Sequence, residues 1–223
     1  MIGIALSKDN SYHNAVKRGP SELTFDGVDD YIETDFIPSS ENLGQAFTWE
    51  FWNYYNTVSG VAGSHGNDGS TPRFYTQVTH RGILRVAIGD KFLDLPSDTV
   101  VAGKWTHIAH VFDRGTVYTY VDGILVNKLV DVIYNGHSTL FNMGRGYTRS
   151  RHINGRTKEH RIWTTAKSQQ EIIDNMNKEL KGNEPGHLRY WKLNEGAGNN
   201  VREYSVNTSN RKTETVYGAI WKY

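Results

Sequence analysis

Arginine side chains are concentrated in one segment of the sequence, NMGRGYTRSRHINGR at 142–156. The arginines of this segment and the tyrosine among them are Arg145, Tyr147, Arg149, Arg151 and Arg156. A guanidinium group can make two parallel hydrogen bonds to a carboxylate, sulfate or phosphate, and a tyrosine ring can lie against a sugar face. The segment therefore predicts an acidic glycan as ligand. The structural alternative is a solvated basic loop that is balanced by the acidic segment 26–35.

A second candidate is the glycine-rich segment 60–73, which lies between predicted strands. His65, Asn67 and Asp68 offer hydrogen-bond donors and acceptors there. Because loops at the end of a β-sandwich commonly carry function, we predict that this segment contributes to the binding surface.

The third candidate surface is a predicted strand in TVYTYVDG, where alternation places Tyr118 and Tyr120 on one face. Trp52 and Tyr54 of an earlier predicted strand would extend this face. If the aromatic rings are exposed, they would stack on sugars or bury against another subunit. If a helix or the C-terminal strand covers them, they belong to the core.

The sequence lacks the common catalytic patterns. It contains neither a G-x-S-x-G elbow nor an H-E-x-x-H pair, and the glycine-rich GVAGSHGNDG has no lysine for a phosphate loop. His107 and His110 are three apart on a predicted strand, so they fall on opposite faces and are interpreted as ordinary strand histidines. We therefore predict that the protein is not an enzyme.

Composition limits the classes of protein that fit. The 223 residues carry 25 Lys and Arg against 24 Asp and Glu, which gives no overall charge to attract nucleic acid. No apolar run is long enough for a bilayer, and MIGIALSKDN at the N-terminus lacks the cationic start of a signal peptide. We expect no nucleic-acid partner, no membrane insertion and no classical signal peptide. Cysteine is absent, which excludes disulfides and thiolate metal sites.

Short alternating segments separated by turn residues predict the elements that position these groups. In FTWEFWN, Phe47, Trp49 and Phe51 share one face, and KWTHIAHVF and TVYTYVDG form a predicted hairpin. HLRYWKL and TVYGAIWKY are predicted to be two further strands. One helix is predicted after Ser168, where Glu171 completes a capping box, and its apolar stripe runs to Leu180.

With these elements placed, the sequence resembles the laminin-G-like jelly rolls of the concanavalin A-like lectin and glucanase superfamily. Four segments carry the resemblance: LTFDGVDDYIE at 23–33, GKWTHIAHVFDRGTVYTYVDGILV at 103–126, RIWTTAKSQQEI at 161–172 and LRYWKLNEGAGNNV at 188–201. The resemblance implies an all-β fold, a two-sheet antiparallel jelly-roll sandwich with one short C-terminal helix. We predict an N-terminal arm or first strand at 1–18 and a single domain at 19–223.

The resemblance also implies a metal site. In some relatives an acidic cluster like that in LTFDGVDDYIE holds calcium, which makes Asp29 and Asp30 candidate ligands. Lys158 stands where such relatives carry a further acid, so it can instead replace the cation and pair with either aspartate. Glu159 is a possible substitute ligand. Turn capping around Asp26 and Gly27 is the structural alternative, and no cofactor is required.

The resemblance favours binding over hydrolysis. Glucanases of the superfamily carry acidic residues at alternate positions of one strand, whereas Glu50 stands alone on its predicted strand. We predict a non-catalytic, lectin-like module for glycans or a surface partner, on an extracellular or virion structure. The alternatives are a capsid or tail decoration protein that assembles through its aromatic face, and a glycoside hydrolase. The predicted partners are carbohydrate, other virion or appendage proteins, and a second copy of the chain.

Overall fold

The computed structural model describes residues 21–67, 69–146, 150–205 and 213–222. These residues form sixteen β-strands and two α-helices. The strands are β1 (Glu22–Asp26), β2 (Tyr31–Glu33), β3 (Ala46–Tyr55), β4 (Gly63–Gly66), β5 (Arg73–Val78), β6 (Leu84–Gly89), β7 (Lys91–Asp94), β8 (Trp105–Asp113), β9 (Thr116–Val121), β10 (Ile124–Leu129), β11 (Asn142–Met143), β12 (Asn154–Trp163), β13 (His187–Trp191), β14 (Asn200–Arg202), β15 (Thr213–Tyr217) and β16 (Ile220–Lys222). The helices are α1 (Ser40–Leu43) and α2 (Gln169–Met176). The predicted arm at 1–18 lies outside the described residues, and the single-domain boundary stays a prediction.

The strands form two antiparallel sheets of eight strands each. Sheet I has the order β10-β9-β8-β3-β12-β1-β16, and β13 pairs with the far end of β12. Sheet II has the order β14-β15-β2-β11-β4-β5-β6-β7. Neighbours in both sheets are often distant in sequence, because the chain crosses repeatedly between the layers. The predicted all-β, two-sheet jelly-roll sandwich is confirmed.

The core lies between the sheets and is rich in aromatic rings. On β3, Phe47, Trp49 and Phe51 point inward and are fully buried, as alternation predicts. From sheet II, the Phe74 ring stacks on Trp49 with centroids 5.0 Å apart, and Phe141 meets Trp49 edge-on. Burying one such side chain stabilises the fold by about 3 kcal/mol. The other face of β3 is therefore the outer face of sheet I.

Helix α2 begins at the predicted capping box. The Ser168 hydroxyl accepts a hydrogen bond from the Glu171 backbone, and the Glu171 carboxylate accepts one from the Ser168 backbone. The helix lies on the outer face of sheet I, where Ile172 packs against Tyr120. It ends at Met176, earlier than predicted, because Leu180 is buried outside the helix beside Trp163 and Tyr190.

The C-terminal segment TVYGAIWKY, predicted to be one strand, forms two strands in different sheets. β15 belongs to sheet II and β16 to sheet I, and the chain turns between them at Gly218, whose φ is 76°. A Cβ at Gly218 would collide with the Asp30 carboxylate, so glycine suits both the turn and the close approach. None of the helices in the described ranges is long and apolar enough to cross a membrane.

Strand β12 contains the irregularity that shapes the outer face of sheet I. Lys158 lies opposite Trp52 and Arg161 lies opposite Glu50, so three steps along β12 match two steps along β3. The extra residue is a β-bulge in which Glu159 has a φ of 55°. Lys158 and Arg161 consequently face the same outer side, although three-residue spacing on a regular strand would separate them.

Candidate functional site

A groove of about 370 Å³ crosses the outer face of sheet I beside the end of helix α2. Its walls are formed by Ser21, Glu22, Trp52, Trp105, Thr157, Lys158, Glu159, Met176, Asn177, Lys178, Glu179, Lys192, Leu193 and Asn194. Its volume is within the range that is typical of small-ligand sites. We refer to it as the tryptophan groove, after Trp52 and Trp105.

The groove exists because β12 changes its neighbour. Its first residues, 154–156, pair with β1, whereas residues 160–163 pair with β13. The bulge at 157–159 lies in the gap between these two partners. The Glu159 N–H donates to the Lys192 carbonyl at 3.2 Å, and the Ser21 hydroxyl donates to the Asn194 carbonyl at 3.2 Å. These bonds fix the wall of the groove that follows β13.

Two half-buried tryptophans supply the apolar surface of the groove. Trp52 comes from β3 and Trp105 from β8, and both side chains point to the outer face. The Trp52 indole N–H donates to the Met176 carbonyl at 2.8 Å, which holds the ring at the end of α2. Tyr54 lies next to Trp105, with ring centroids 5.8 Å apart. The groove thus presents a fixed aromatic surface to solvent.

Charged side chains line the same groove, and each of its three carboxylates has a cationic partner. Glu22 pairs with Arg156, Glu159 with Arg161 and Glu179 with Lys192. The Lys158 ammonium lies 4.2 Å from the centre of the Trp105 ring, a cation–π contact.

A buried polar network lies behind the groove, between sheet I and the segment from α2 to β13. Glu50 is 2% exposed and is placed 3.3 Å from His107 and 3.5 Å from Arg161, while the Trp163 indole donates to it. Burial alone would raise the pKa of Glu50, but bonding and charge from His107 and the charge of Arg161 hold it below its usual value. Arg161 also donates to the backbone carbonyls of Asn175 and Lys178. The network therefore ties the groove wall to sheet I.

In the arginine segment, the Arg145 side chain is held by neighbouring residues of the fold. Its guanidinium lies 3.3 Å from the centre of the Tyr31 ring and donates to Glu33 and Asn142. The pair with Glu33 agrees with the alternative of a basic loop balanced by the acidic segment. Arg151 is half-buried and its carbonyl accepts two hydrogen bonds from Ser64. Tyr147 and Arg149 lie outside the described residues.

The segment 60–73 is not the open loop that was predicted. His65 belongs to β4 and is fully buried, and Asn67 is 1% exposed. The His65 ring bonds to Asn53 and accepts from the Gly144 N–H, so neither ring nitrogen faces solvent. The prediction that His65 and Asn67 form a binding surface is therefore wrong, because the alternate strand position directs His65 inward. Asp68 lies outside the described residues.

The face of Tyr118 and Tyr120 is partly covered. Tyr120 is 8% exposed and packs against Ile172 of α2, so it is core. Tyr118 is half-buried, and the Lys128 ammonium lies 5.5 Å from its ring centre. The solvent-accessible part of the outer face of sheet I lies instead at Trp52 and Tyr54, which are both half-buried. The sequence predicted that these two residues extend the face of Tyr118 and Tyr120. An aromatic assembly surface at Tyr120 is thus excluded.

The acidic segment forms a capped turn between β1 and β2. The Asp30 carboxylate accepts a hydrogen bond from the Asp26 N–H at 2.7 Å, and Asp26 accepts one from the Val28 N–H at 2.8 Å. Gly27, at a φ of 86°, makes the turn as expected. Asp29 is exposed and Asp30 is 5% exposed, and both lie in the turn between β1 and β2 rather than on a strand as predicted.

The carboxylates of Asp26, Asp29 and Asp30 fit a hard cation. One oxygen from each lies within 4.8 Å of the others. Burial, together with the charges of Asp26 and Asp29, raises the pKa of Asp30 above its usual value. Bound Ca²⁺ would neutralise this repulsion, since it prefers carboxylate oxygens. Calcium stays a prediction that is now carried by these three residues.

Two parts of the calcium prediction are wrong. Glu159 accepts hydrogen bonds from Arg161 and from the Tyr190 hydroxyl, both at 2.6 Å, and lines the tryptophan groove. Lys158 contacts Trp105 rather than the aspartates. Both residues lie at the bulge in β12 and line the tryptophan groove.

Sequence reasoning missed Trp105, Lys192 and the groove between them. Trp105 could have been predicted to lie on this face, because strand alternation in KWTHIAHVF places it on the same face as His107. No sequence pattern marked Lys192, because its place depends on the pairing of β13 with β12.

The comparisons identify the family. Residues 26–173 match the model of a laminin-G family described as the concanavalin A-like lectin/glucanases superfamily. This match covers more than half of the chain, and the chain belongs to that family, as the sequence resemblance predicted. A search of curated protein sequences gave no match.

Solved structures share the fold at low identity. A carbohydrate-binding candidate from Bacteroides ovatus superposes with a TM-score of 0.71 at 21% identity, over 91% of this chain. The chain spans 59% of the length of that protein. The enzymatically active domain of tailspike protein 2 from bacteriophage CBA120 has a TM-score of 0.55 at 13% identity, over 83% of this chain and 35% of its own. A heptameric SAP-like pentraxin from Limulus polyphemus has a TM-score of 0.51 at 13% identity, over 69% of this chain and 80% of its own.

Proposed function

We propose that this chain is a non-catalytic carbohydrate-binding module and that the ligand occupies the tryptophan groove. The observation that carries the proposal is the pair of half-buried rings, Trp52 and Trp105, fixed in an open groove with a polar rim. The C–H face of a sugar packs against an aromatic ring, while its hydroxyls need hydrogen-bonding groups around it. Lys158, Asn177 and Asn194 supply such groups at the rim.

The carboxylates of the groove support binding rather than hydrolysis. A glycosidase needs one carboxyl group that keeps a proton and a second that attacks or activates water. Glu22, Glu159 and Glu179 are each paired with a cation, which occupies their oxygens. Glu159 holds two donors. This arrangement suits a structural role for the three groups.

The proposed setting is an extracellular structure or a virion surface, where polymeric glycans are accessible. The chain has no cysteine, so oxidising conditions leave its side chains unlinked. The decoration role, the homo-oligomer and partners on a virion or appendage stay predictions.

Replacement of Trp105 by alanine tests the proposal. On a glycan array, we expect the wild-type protein to bind a defined set of saccharides and Trp105→Ala to lose binding roughly tenfold or more, because stacking area at the centre of a site is lost. Phe92→Ala is the matched control, since Phe92 is an exposed aromatic residue on β7 of the other sheet.

Two results would contradict the proposal. Equal loss in Phe92→Ala and Trp105→Ala would remove the groove as the site. Release of new reducing ends from a bound glycan would show hydrolysis and overturn the non-catalytic assignment.

A further inference from the structure

Three glutamates and three lysines line the tryptophan groove, but they are not paired one to one. Its three carboxylates are held by Arg156, Arg161 and Lys192, as described above. Two more lysines, Lys158 and Lys178, line the groove. Throughout the described ranges, neither ammonium is within salt-bridge distance of a carboxylate. Lys158 and Lys178 are therefore the two lysines of the groove whose charge can be offered to a ligand.

The position of Lys158 makes this charge relevant to a sugar. Its ammonium covers one side of the Trp105 ring, 4.2 Å from the ring centre. A sugar that stacks on that side must move the ammonium. A cation–π contact of a partly exposed lysine is weak, and the lysine stem is flexible enough to turn the ammonium aside. A neutral sugar would displace the ammonium without giving it a counter-charge, whereas an anionic sugar offers one.

We infer that the groove selects an anionic saccharide, in which a carboxylate or sulfate group binds the Lys158 ammonium while the sugar ring packs on Trp105. This inference rests on the proposed carbohydrate function and assigns its ligand class. The shared chemistry is a fixed negative charge next to a pyranose ring. Lys178, exposed at the rim, attracts the same charge at longer range.

Matched pairs of polymers separate charge from sugar shape. Polygalacturonate is compared with its methyl ester, and dextran sulfate with dextran, by measuring dissociation constants for the wild type and each variant. The first pair tests a carboxylate and the second a sulfate. The variants are Lys158→Met, Trp105→Ala and the control Lys128→Met, because Lys128 also lies over an aromatic ring, Tyr118, outside the groove.

We expect the wild type to bind the anionic member of at least one pair roughly tenfold more tightly, and Lys158→Met to abolish that preference. Lys128→Met should retain it. Trp105→Ala should weaken binding to both members, and added salt should weaken the anionic member more.

The outcomes distinguish the inference from the proposed function. Binding that depends on Trp105 but is equal for charged and neutral members would overturn the inference and leave the carbohydrate function intact. Unchanged preference in Lys158→Met, or equal loss in Lys128→Met, would also overturn it. Absence of Trp105-dependent binding to these polymers and to a glycan array would overturn both.

Discussion

The aspartates of the β1–β2 turn show how one residue can carry both a structural bond and an unfavourable charge. Asp30 caps the turn through the Asp26 N–H, yet it is 5% exposed and adjoins two further carboxylates. Because its pKa is raised, its ionised form is less favourable in the folded state than in the unfolded state. Its contribution to stability is therefore present at low pH and is lost as the pH rises through its folded pKa.

Bound calcium should offset the unfavourable charge of Asp30 in the folded state, and the variant Asp30→Asn tests this expectation. We expect millimolar CaCl₂ at neutral pH to raise the midpoint of thermal unfolding of the wild type by several degrees, because the ion binds the folded state alone. Asp30→Asn should show no such shift, and without calcium it should be at least as stable as the wild type. Asp174→Asn, on the exposed side of α2, is the control. No shift at saturating calcium in the wild type would exclude the ion.

At the scale of elements, the bulge in β12 determines the outer face of sheet I. It brings Arg161 to the same side as Lys158 and places Arg161 against Glu50 and Glu159. Arg161 is 1% exposed and holds two backbone carbonyls of the segment after α2. One side chain thus connects the strand, the helix end and the wall of the groove.

Replacement of this arginine should be severe. In Arg161→Met two carboxylates lose their cation and two carbonyls lose a donor, so we expect a decrease of roughly 3–5 kcal/mol in the free energy of unfolding. Urea unfolding followed by tryptophan fluorescence measures it. Arg202→Met, at an exposed site on β14, serves as the control.

A second variant distinguishes charge from packing. Adding Glu50→Gln to Arg161→Met removes one of the two carboxylate charges that have lost the arginine, and we expect it to restore part of the lost stability. The account of the network would be contradicted if the free energy of unfolding of Arg161→Met were lowered by less than about 1 kcal/mol. It would also be contradicted if the double variant recovered none of the lost stability.

Local signals predicted some elements better than others. The start of α2 was predictable because the capping box involves only Ser168 and Glu171, three residues apart. Its end was not, because Leu180 leaves the helix to pack on Trp163 and Tyr190, which are supplied by β12 and β13. The division of TVYGAIWKY into β15 and β16 likewise depends on strands that are distant in the chain, because β15 pairs with β2 and β16 pairs with β1.

At the scale of the whole molecule, three histidines of the described residues are enclosed between the sheets. His65, His110 and His160 are fully buried, and their neighbours are aromatic rings and neutral polar groups such as Asn53 and Thr119. Burial lowers the pKa of His65 and of His110 to about 3. Burial, with a further effect from His65, lowers the pKa of His160 well below its usual value.

The three buried histidines should therefore make the sandwich less stable in acid. A histidine that is neutral when folded takes up a proton on unfolding once the pH falls below about 6.5, so stability is complete above that pH and is lost towards pH 3. At pH 5 we expect a loss of roughly 2 kcal/mol for each of these rings. Urea unfolding at pH 7.5, 6 and 5 measures the loss.

The exposed His80 gives the control for this pH dependence. His80→Gln should keep the same dependence of stability on pH, because His80 is already solvated in the folded state. A free energy of unfolding that stays constant between pH 7.5 and pH 5 would contradict the role of the buried rings.

Local sequence patterns were enough to predict the fold class, the family, the inward face of β3 and the capped turn at Asp26 and Gly27. Each of these depends on residues close in the chain, through strand alternation, turn chemistry or a short capping motif. The sequence also contained Trp52 and Tyr54 as candidates for the exposed part of the outer face.

Which polar residues face solvent and which are enclosed depends on contacts between strands that are distant in the chain. His65 and Asn67 are buried because β4 lies inside sheet II, and Glu159 and Lys158 lie away from the aspartates because β12 bulges where its partner changes from β1 to β13. The tryptophan groove is the gap left by that change. A single extra residue in one strand reverses the face of every side chain beyond it, and only the pairing of distant strands fixes where that residue falls.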